Sequence, residues 1–156
     1  MYNALDIARY VINYCNKKGY LISNLRLQKL LYFIQANFIM SKKKLCFSEP
    51  IECWQYGPVI RNVYLEFKVN GSDSIESIDK YEQYNLDTNS FDEVKFNFDF
   101  KNEEDKELVE ETIEYASEMT TRELVDITHK QTPWSKNYKS NCKKEIPEED
   151  MFKYFS

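Results

Sequence analysis

The chain has 156 residues, of which 42% are hydrophobic and 30% are charged, the balance of a folded globular protein rather than of a disordered one. Its net charge of −5 argues against a strongly basic nucleic-acid coat, and no apolar run approaches the roughly 20 residues that a membrane helix needs. The chain has only three glycines, which argues against phosphate-cradling loops and most nucleotide-binding folds.

The N-terminal part of the chain predicts two antiparallel helices. Apolar residues recur with a helical period over residues 4–18 and again from Ser23 to about Met40. Asn3 and Ser23 are suitable N-caps, and Gly19 is a suitable stop for the first helix. Because the connection between them is short, we expect a helical hairpin.

The middle of the chain predicts a short strand, a third helix and a second strand. Residues 51–56 are rich in strand formers, and Pro58 is placed to start a helix. Residues 72–93 are acidic with few apolar anchors, which favours an irregular loop. Residues 94–100 alternate apolar and polar side chains, as a half-buried strand does. We expect 94–100 to pair with 51–56 as a two-stranded antiparallel ribbon.

The C-terminal part predicts further helices. Asn102 is a suitable N-cap for an acidic helix, and Thr120 opens a capping box for the next one. Pro133 and Pro147 are each placed to start a short helix. The expected fold is therefore mainly α: a single-domain helical bundle over residues 1–156 with one small β ribbon.

Charge is distributed unevenly along the chain. Residues 1–70 carry a net charge of +6, residues 71–132 carry −12, and residues 133–156 carry +1. Such an arrangement can attract an oppositely charged partner, or the two halves can neutralise each other within the fold. Both interpretations stay open at this point.

Catalytic and metal-binding patterns are weak. His129 is the only histidine, so an enzyme would be centred on it, but a histidine near a helix end more often fixes a turn by hydrogen bonding. The four cysteines include no pair with zinc-ligand spacing, so we expect reduced thiols in a cytoplasmic protein. The N-terminus lacks a secretory signal. We expect no catalytic residue, no metal and no cofactor.

A basic patch on the first two helices is an alternative functional signal. Such a patch could neutralise several phosphates, so a DNA-binding or regulatory protein that uses the basic N-terminal helical hairpin is the alternative function. A recognition helix should present polar side chains to base edges, whereas the second helix is dominated by Leu, Tyr and Phe. The basic side chains are Arg9, Lys17, Lys18, Arg26, Lys29, Lys42, Lys43 and Lys44.

Aromatic residues are the more informative signal. The chain has 2 Trp, 12 Tyr and 10 Phe, and Tyr and Trp are preferred anchors of protein interfaces because they bury a large area with little loss of entropy. Each residue could equally fill space between the helices and the ribbon. The candidates for an interface are Trp54, Tyr56, Tyr64, Trp134 and Tyr138.

Several segments together resemble the Panacea-domain family of SocA-like antitoxins, a group that includes phage-associated GepA-like proteins. These segments are ALDIARYVINY, ISNLRLQKLLYFIQA, IECWQYGPVIRNVYLEFK, ELVDITHKQTPWSKNY and a closing IP-EED-M-KYF. The resemblance covers nearly the whole chain except residues 72–100, and the combination of WQYGPV with a downstream THKQTPW is its specific element. The matching positions are Trp54, Tyr56, Gly57, Pro58, Val59, Thr128, His129, Pro133 and Trp134.

The resemblance implies a small cytoplasmic protein without catalytic residues that neutralises a cognate toxin encoded beside it. It also implies a possible adaptor function, because one type of member delivers its toxin to a AAA+ protease. We expect Thr128 and His129 to hydrogen-bond across to the Gly57-Pro58 turn, with Trp134 packed nearby. Partner choice is then expected in residues 72–100, a variable acidic and aromatic insertion that could cover a basic toxin surface.

Overall fold

The computed structural model describes all 156 residues and is mainly helical, as predicted. The helices are α1 (Ala4–Lys18), α2 (Asn24–Lys42), α3 (Arg61–Phe67), α4 (Glu103–Ser117), α5 (Thr121–Lys130), α6 (Thr132–Ser135) and α7 (Glu148–Phe155), with a 3₁₀ turn at Lys68–Asn70. The strands are β1 (Glu52–Trp54), β2 (Gly57–Val59), β3 (Lys80–Asn85) and β4 (Ser90–Lys95). None of the helices combines the length and the apolar character that crossing a bilayer requires.

Helix α2 lies at the centre of the fold. It contacts α1, α3, α4, α5 and α7, and it also contacts strand β2. The sequence of α2 contains an uninterrupted apolar run, Leu30–Ile34, so the helix has no single apolar face. A helix that is apolar on all sides is stable only when other elements surround it. The other helices therefore pack around α2, and the core forms along its length.

The predicted helix caps are confirmed. The side chains of Asn3, Ser23, Asn102 and Thr120 each accept a hydrogen bond from a backbone N–H in the first turn of the helix that follows. Gly19 ends α1 in the left-handed conformation, with φ of 77°. Such caps satisfy backbone groups that a helix end leaves without partners.

The predicted pairing of the first strand is wrong. Residues 52–54 pair with residues 57–59 and not with 94–100, so β1 and β2 form a tight antiparallel hairpin in which Trp54 is opposite Gly57. Gly57 has φ of 107°, which lets the chain reverse direction within two residues. Pro58 consequently lies in β2, and α3 begins at Arg61 rather than at Pro58.

The predicted loop over residues 72–93 is confirmed only for residues 72–79, because β3 and β4 form a second antiparallel hairpin with Lys80 opposite Lys95 and Asn85 opposite Ser90. This two-stranded sheet is exposed over most of its surface, so its strands need no alternation of apolar and polar side chains. The predicted strand over 94–100 ends at Lys95. Beyond it, Phe98 and Phe100 pack edge-on against the ring of Tyr10.

Helix α4 is joined to α1 and its flanking residues by tyrosine–carboxylate hydrogen bonds. The hydroxyl of Tyr2 donates to Asp105 at 2.5 Å, and those of Tyr14 and Tyr20 donate to Glu114 at 2.7 and 2.6 Å. Burial and the hydrogen bond to Asp105 raise the pKa of Tyr2 to about 12. Lys42 also binds Asp105. Part of the acidic segment 71–132 therefore pairs with the basic segment 1–70 within the fold.

Candidate partner-binding site

The WQYGPV turn rests on α2 through two buried polar side chains. Nζ of Lys29 donates to the carbonyl of Pro58 at 2.8 Å, and Oε1 of Gln28 accepts from the N–H of Ile60 at 2.9 Å. Both side chains are almost completely buried. These bonds satisfy backbone groups at the end of the β1–β2 hairpin that would otherwise be unpaired in the core.

Lys29 supports the turn, although the sequence pattern placed it in a basic patch on the first two helices. Its side chain is fully buried and forms no salt bridge with a carboxylate. Removal from water disfavours the charged ammonium and lowers the pKa of Lys29 to about 7. The available signal was the apolar run that follows it, which marks α2 as a surrounded helix.

At Gly57 the WQYGPV turn lies against both α2 and α5. A Cβ placed on Gly57 would lie 2.7 Å from Oγ1 of Thr128 in α5 and 2.8 Å from Cε of Lys29 in α2. A side chain at this position would collide with both neighbours. The absence of a side chain therefore allows α2, α5 and the hairpin to converge, which gives a physical reason for the WQYGPV and THKQTPW motifs to occur together.

The expected hydrogen bonds from Thr128 and His129 to the turn are not formed. Oγ1 of Thr128 donates to the carbonyl of Val125 within α5, at 2.7 Å, because a helical Thr can satisfy its hydroxyl on its own helix. Nε2 of His129 has no hydrogen-bond partner. Trp134 makes the connection instead: its indole N–H donates to the carbonyl of Trp54 at 2.9 Å.

Trp134 is held in a stack of three rings. The imidazole of His129 lies over the indole with centroids 4.1 Å apart, and the ring of Tyr138 lies 4.5 Å from the indole. The planes are tilted by 23° and 24°, so both contacts are stacked. The stack fixes the direction of the indole N–H, and His129 acts in it as a flat packing surface.

An open groove of about 960 Å³ lies beside the turn. Trp54, Tyr56, Tyr64 and Tyr138 line it, and Tyr56 is 60% exposed. Three lysines also line the groove, and no carboxylate does. The groove is therefore aromatic and positively charged; its lysines are Lys68, Lys139 and Lys143.

The indole of Trp54 is fixed in one orientation. Its N–H donates to Oε1 of Glu52 at 3.0 Å, and Arg61 binds the same carboxylate with two hydrogen bonds of 2.8 Å. Burial would raise the pKa of Glu52, but the bonds from Arg61 and Trp54 outweigh it and leave this pKa below its ordinary value. Lys143 lies 4.0 Å above the ring, and Tyr64 packs edge-on against it. A partner that enters the groove would therefore contact an indole whose orientation is already fixed.

The structure divides the predicted site residues into two groups. One group lines the groove, and the other lies beneath it and holds the turn against α2 and α5. The groove-lining residues are Trp54, Tyr56, Val59, Tyr64 and Tyr138, and the supporting residues are Gly57, Pro58, Thr128, His129 and Trp134.

The basic patch of the N-terminal hairpin is largely engaged within the fold. Arg9 is buried, with its guanidinium 3.5 Å from the centroid of the Tyr81 ring. Arg26 donates to the carbonyls of Ala116 and Met119, and so closes the C-terminal end of α4. Lys29 is buried, Lys42 binds Asp105 and Lys18 faces Glu114, so five of the eight predicted basic side chains have partners within the fold.

The chemistry around His129 does not form a catalytic group. The imidazole contacts Trp134, and no nucleophile or carboxylate is hydrogen-bonded to it. The cysteines are unpaired thiols, and three of the four are buried. No cluster of three or more His, Cys, Asp or Glu side chains is arranged to hold a metal ion.

The comparisons with known proteins agree with this geometry. The family model described as "Antitoxin SocA-like, Panacea domain" matches residues 27–135, which include most of α2, both motifs and the β3–β4 hairpin. The chain therefore belongs to the SocA-like antitoxin family with a Panacea domain.

A relative within this family is Antitoxin SocA of Caulobacter vibrioides (strain NA1000 / CB15N). The two sequences are 46% identical over 50 residues, which is 32% of this chain and 27% of the relative. The match thus spans about a quarter of the relative's length. No solved structure matches the chain.

Because α2, α5 and the β1–β2 hairpin converge at Gly57, adding a single methyl group at this position should strongly destabilise the fold. We expect Gly57→Ala to lower the free energy of unfolding by about 3 kcal/mol, because it adds backbone strain at positive φ to the collision with Thr128 and Lys29. Gly19→Ala is the matched control: Gly19 also has positive φ, but nothing lies within 4 Å of the added Cβ, so about 1 kcal/mol is expected. Urea unfolding measures both, and equal losses would contradict the close approach.

The buried Lys29 predicts a pH dependence of stability. Its pKa in the folded protein, about 7, lies below the unfolded value of about 10.4, so between these values the unfolded chain binds more protons and folding becomes more favourable as the pH rises. From pH 7 to 9 we expect the stability of the wild type relative to Lys29→Met to increase by up to about 1.4 kcal/mol per pH unit. If the stabilities of the two proteins changed with pH in parallel, the amine of Lys29 would not be buried away from water.

Proposed function

We propose that this protein is an antitoxin that neutralises a protein toxin by direct binding, with the aromatic groove as the contact surface. The observation that carries the proposal is the ordered wall formed by Trp54, Tyr56, Tyr64 and Tyr138, which lies within or beside the motifs of an antitoxin family. Tyr56 is exposed and the other three rings are half-buried, and aromatic side chains packed in this way are typical of interface hot spots.

The lining of the groove defines the chemistry of its occupant. Lys68, Lys139 and Lys143 carry positive charge, and no carboxylate compensates them in the lining. A toxin segment that enters the groove would therefore present apolar side chains to the aromatic wall and acidic groups or backbone carbonyls to the lysines. Binding of this kind masks a surface of the toxin and requires no chemical step on the antitoxin.

We also propose that residues 1–156 act as one domain. Helices α1 and α7 lie outside the residues that the family model matches, yet both pack against α2. Removing either helix would expose the core around α2 to water. A cytoplasmic location and delivery of a toxin to a AAA+ protease stay predictions from the resemblance, and we assign no residue to the protease contact.

DNA binding is the less favoured function. Lys17, Lys18, Lys43 and Lys44 stay exposed on the N-terminal hairpin, but Lys18 faces Glu114 at 3.9 Å. Two basic side chains of α2 are not available to DNA. Arg26 binds a carbonyl of α4, and Lys29 binds the carbonyl of Pro58 in the turn. A gel shift at low salt with the protein's own promoter tests this alternative, because a duplex contact made through lysines is strongest there.

The proposal predicts that the groove decides complex formation. The probe is the product of a gene adjacent to the one for this chain, chosen because it inhibits growth when expressed alone. Co-expression with the wild type should restore growth, and the two proteins should co-purify. Tyr56→Ala should weaken binding by about 10- to 100-fold with little change in stability, because Tyr56 is exposed and forms no hydrogen bond.

The matched control is Tyr115→Ala, which removes an exposed tyrosine from α4, away from the groove. It should leave both growth and affinity unchanged. If no adjacent product is toxic, or if the toxic product does not bind the wild type, the antitoxin proposal fails. If Tyr56→Ala and Tyr115→Ala behave alike, the toxin contact is not in the groove.

A further inference from the structure

A second groove, of about 490 Å³, lies between α4 and α5 and shares no residue with the aromatic groove. Both helices pack on α2, whereas direct contact between them is slight. The gap between them therefore exposes part of α2, where Phe33 and Asn37 lie. We call this the α4–α5 groove; its partly exposed apolar side chains are Phe33, Leu108, Tyr115, Met119 and Ile127.

The groove exists because α4 carries two apolar rows. Val109 and Ile113 form the row that is buried in the core. Leu108 and Tyr115, seven residues apart, form a second row on a neighbouring side of the helix, and Met119 continues it just after the helix ends. Tyr115 is 77% exposed. One apolar row is enough to pack a helix on a core, so the second row is apolar surface that this chain leaves open to a partner.

The polar side chains of the groove are already paired within the fold. Asn37 donates to the hydroxyl of Thr112 at 2.7 Å, and that hydroxyl donates to the carbonyl of Leu108 at 2.7 Å. Gln131 accepts a hydrogen bond of 2.7 Å from the hydroxyl of Tyr32. An occupant therefore gains little from polar contacts at the bottom of the groove. Burial of apolar surface must supply most of its binding free energy.

The edge of the groove along α4 is acidic. Glu107, Glu111 and Glu118 are exposed, and their helical spacing places them on the same side of the helix as Tyr115. Glu111 lines the groove itself. None of the three carboxylates belongs to an ion pair. They are therefore free to attract a cationic partner.

The other charges around the groove are balanced. Glu104 shares the acidic side of α4 but is ion-paired with Lys42. On α5, the exposed charges beside the groove are Glu123 and Lys130, which have opposite signs. Arg26 lies at one end, where two carbonyls at the C-terminal end of α4 accept hydrogen bonds from its guanidinium. The three carboxylates of α4 are therefore in excess.

The shape of the groove suits a helix. Two helices that both pack on α2 form its walls, so a further helix laid between them would pack in the same way as the helices of a bundle do. Helix α4 has 15 residues and is about 22 Å long, which allows contact over about four helical turns. Amphipathic helices bind to apolar grooves of this kind through side chains at i, i+3, i+4 and i+7.

We propose that the α4–α5 groove is a second docking site, which binds an amphipathic helix with a basic polar face from a protein other than the toxin. The apolar side of that helix packs between Leu108, Tyr115 and Ile127. Its Lys or Arg side chains face Glu107, Glu111 and Glu118. Because this site shares no residue with the aromatic groove, the proposal goes beyond the toxin contact and does not depend on it.

A synthetic helical peptide of about 18 residues, with Leu on one side and Lys on the other, is the probe. Fluorescence anisotropy measures its Kd for the whole chain. Tyr115→Ala should raise this Kd about fivefold or more, and Glu111→Lys about tenfold or more at low salt, with little change in stability because both residues are exposed. Tyr56→Ala and Glu66→Lys are the matched controls, because both residues are exposed and lie outside the groove, and the Kd should stay unchanged.

A second peptide separates docking of a helix from simple attraction between charges. It has the same composition, in an order that leaves no apolar side on the helix, and should bind about tenfold more weakly or less. The proposal is overturned if the wild type does not bind the first peptide, if it binds both equally, or if Glu111→Lys and Glu66→Lys weaken binding equally. A wild-type dimer that Tyr115→Ala dissociates would also overturn it, because a second copy would then cover the groove.

Discussion

The hydrogen bond from Lys29 to the carbonyl of Pro58 is the contact on which the arrangement of the site depends. It brings a side chain of the central helix into a dry position directly under the β1–β2 hairpin, where only a glycine at position 57 leaves room for it. An amine buried without a carboxylate opposes folding, and burial lowers its pKa accordingly. The surrounding helices and the bond to Pro58 must therefore offset that cost, which makes the turn a rigid point of the fold.

Further contacts connect this turn to the aromatic groove at the protein surface. Trp134 links the short helix α6 to the turn through the carbonyl of Trp54, and Arg61, Glu52 and Lys143 hold the Trp54 indole in place. The family motifs thus serve two purposes. Gly57 and Pro58 allow the turn to lie against α2 and α5, while Trp54 and Tyr56 line the groove.

The sequence was sufficient to predict the features that depend on interactions between residues close together in the chain. Helix caps such as Ser23 and Thr120 depend on residues within one turn, and each was identified correctly. The burial of Lys29 and the pairing of β1 with β2 depend on elements distant in the chain, and both were missed. The β3–β4 hairpin left no periodic signal because it buries little on either face. For the candidate site, the sequence predicted the motif residues, whereas the hydrogen bond that Trp134 forms to the turn in place of Thr128 required the three-dimensional contacts.

The aromatic groove beside the β1–β2 hairpin is the proposed partner surface for the toxin. Hydrogen–deuterium exchange of this chain, alone and in complex with a growth-inhibiting product of a neighbouring gene, tests the claim most directly. We expect slower exchange in residues 54–59 and 138–143, with no change in α1 or α4. Slower exchange confined to the helices α1 and α4, with the groove unaffected, would contradict it.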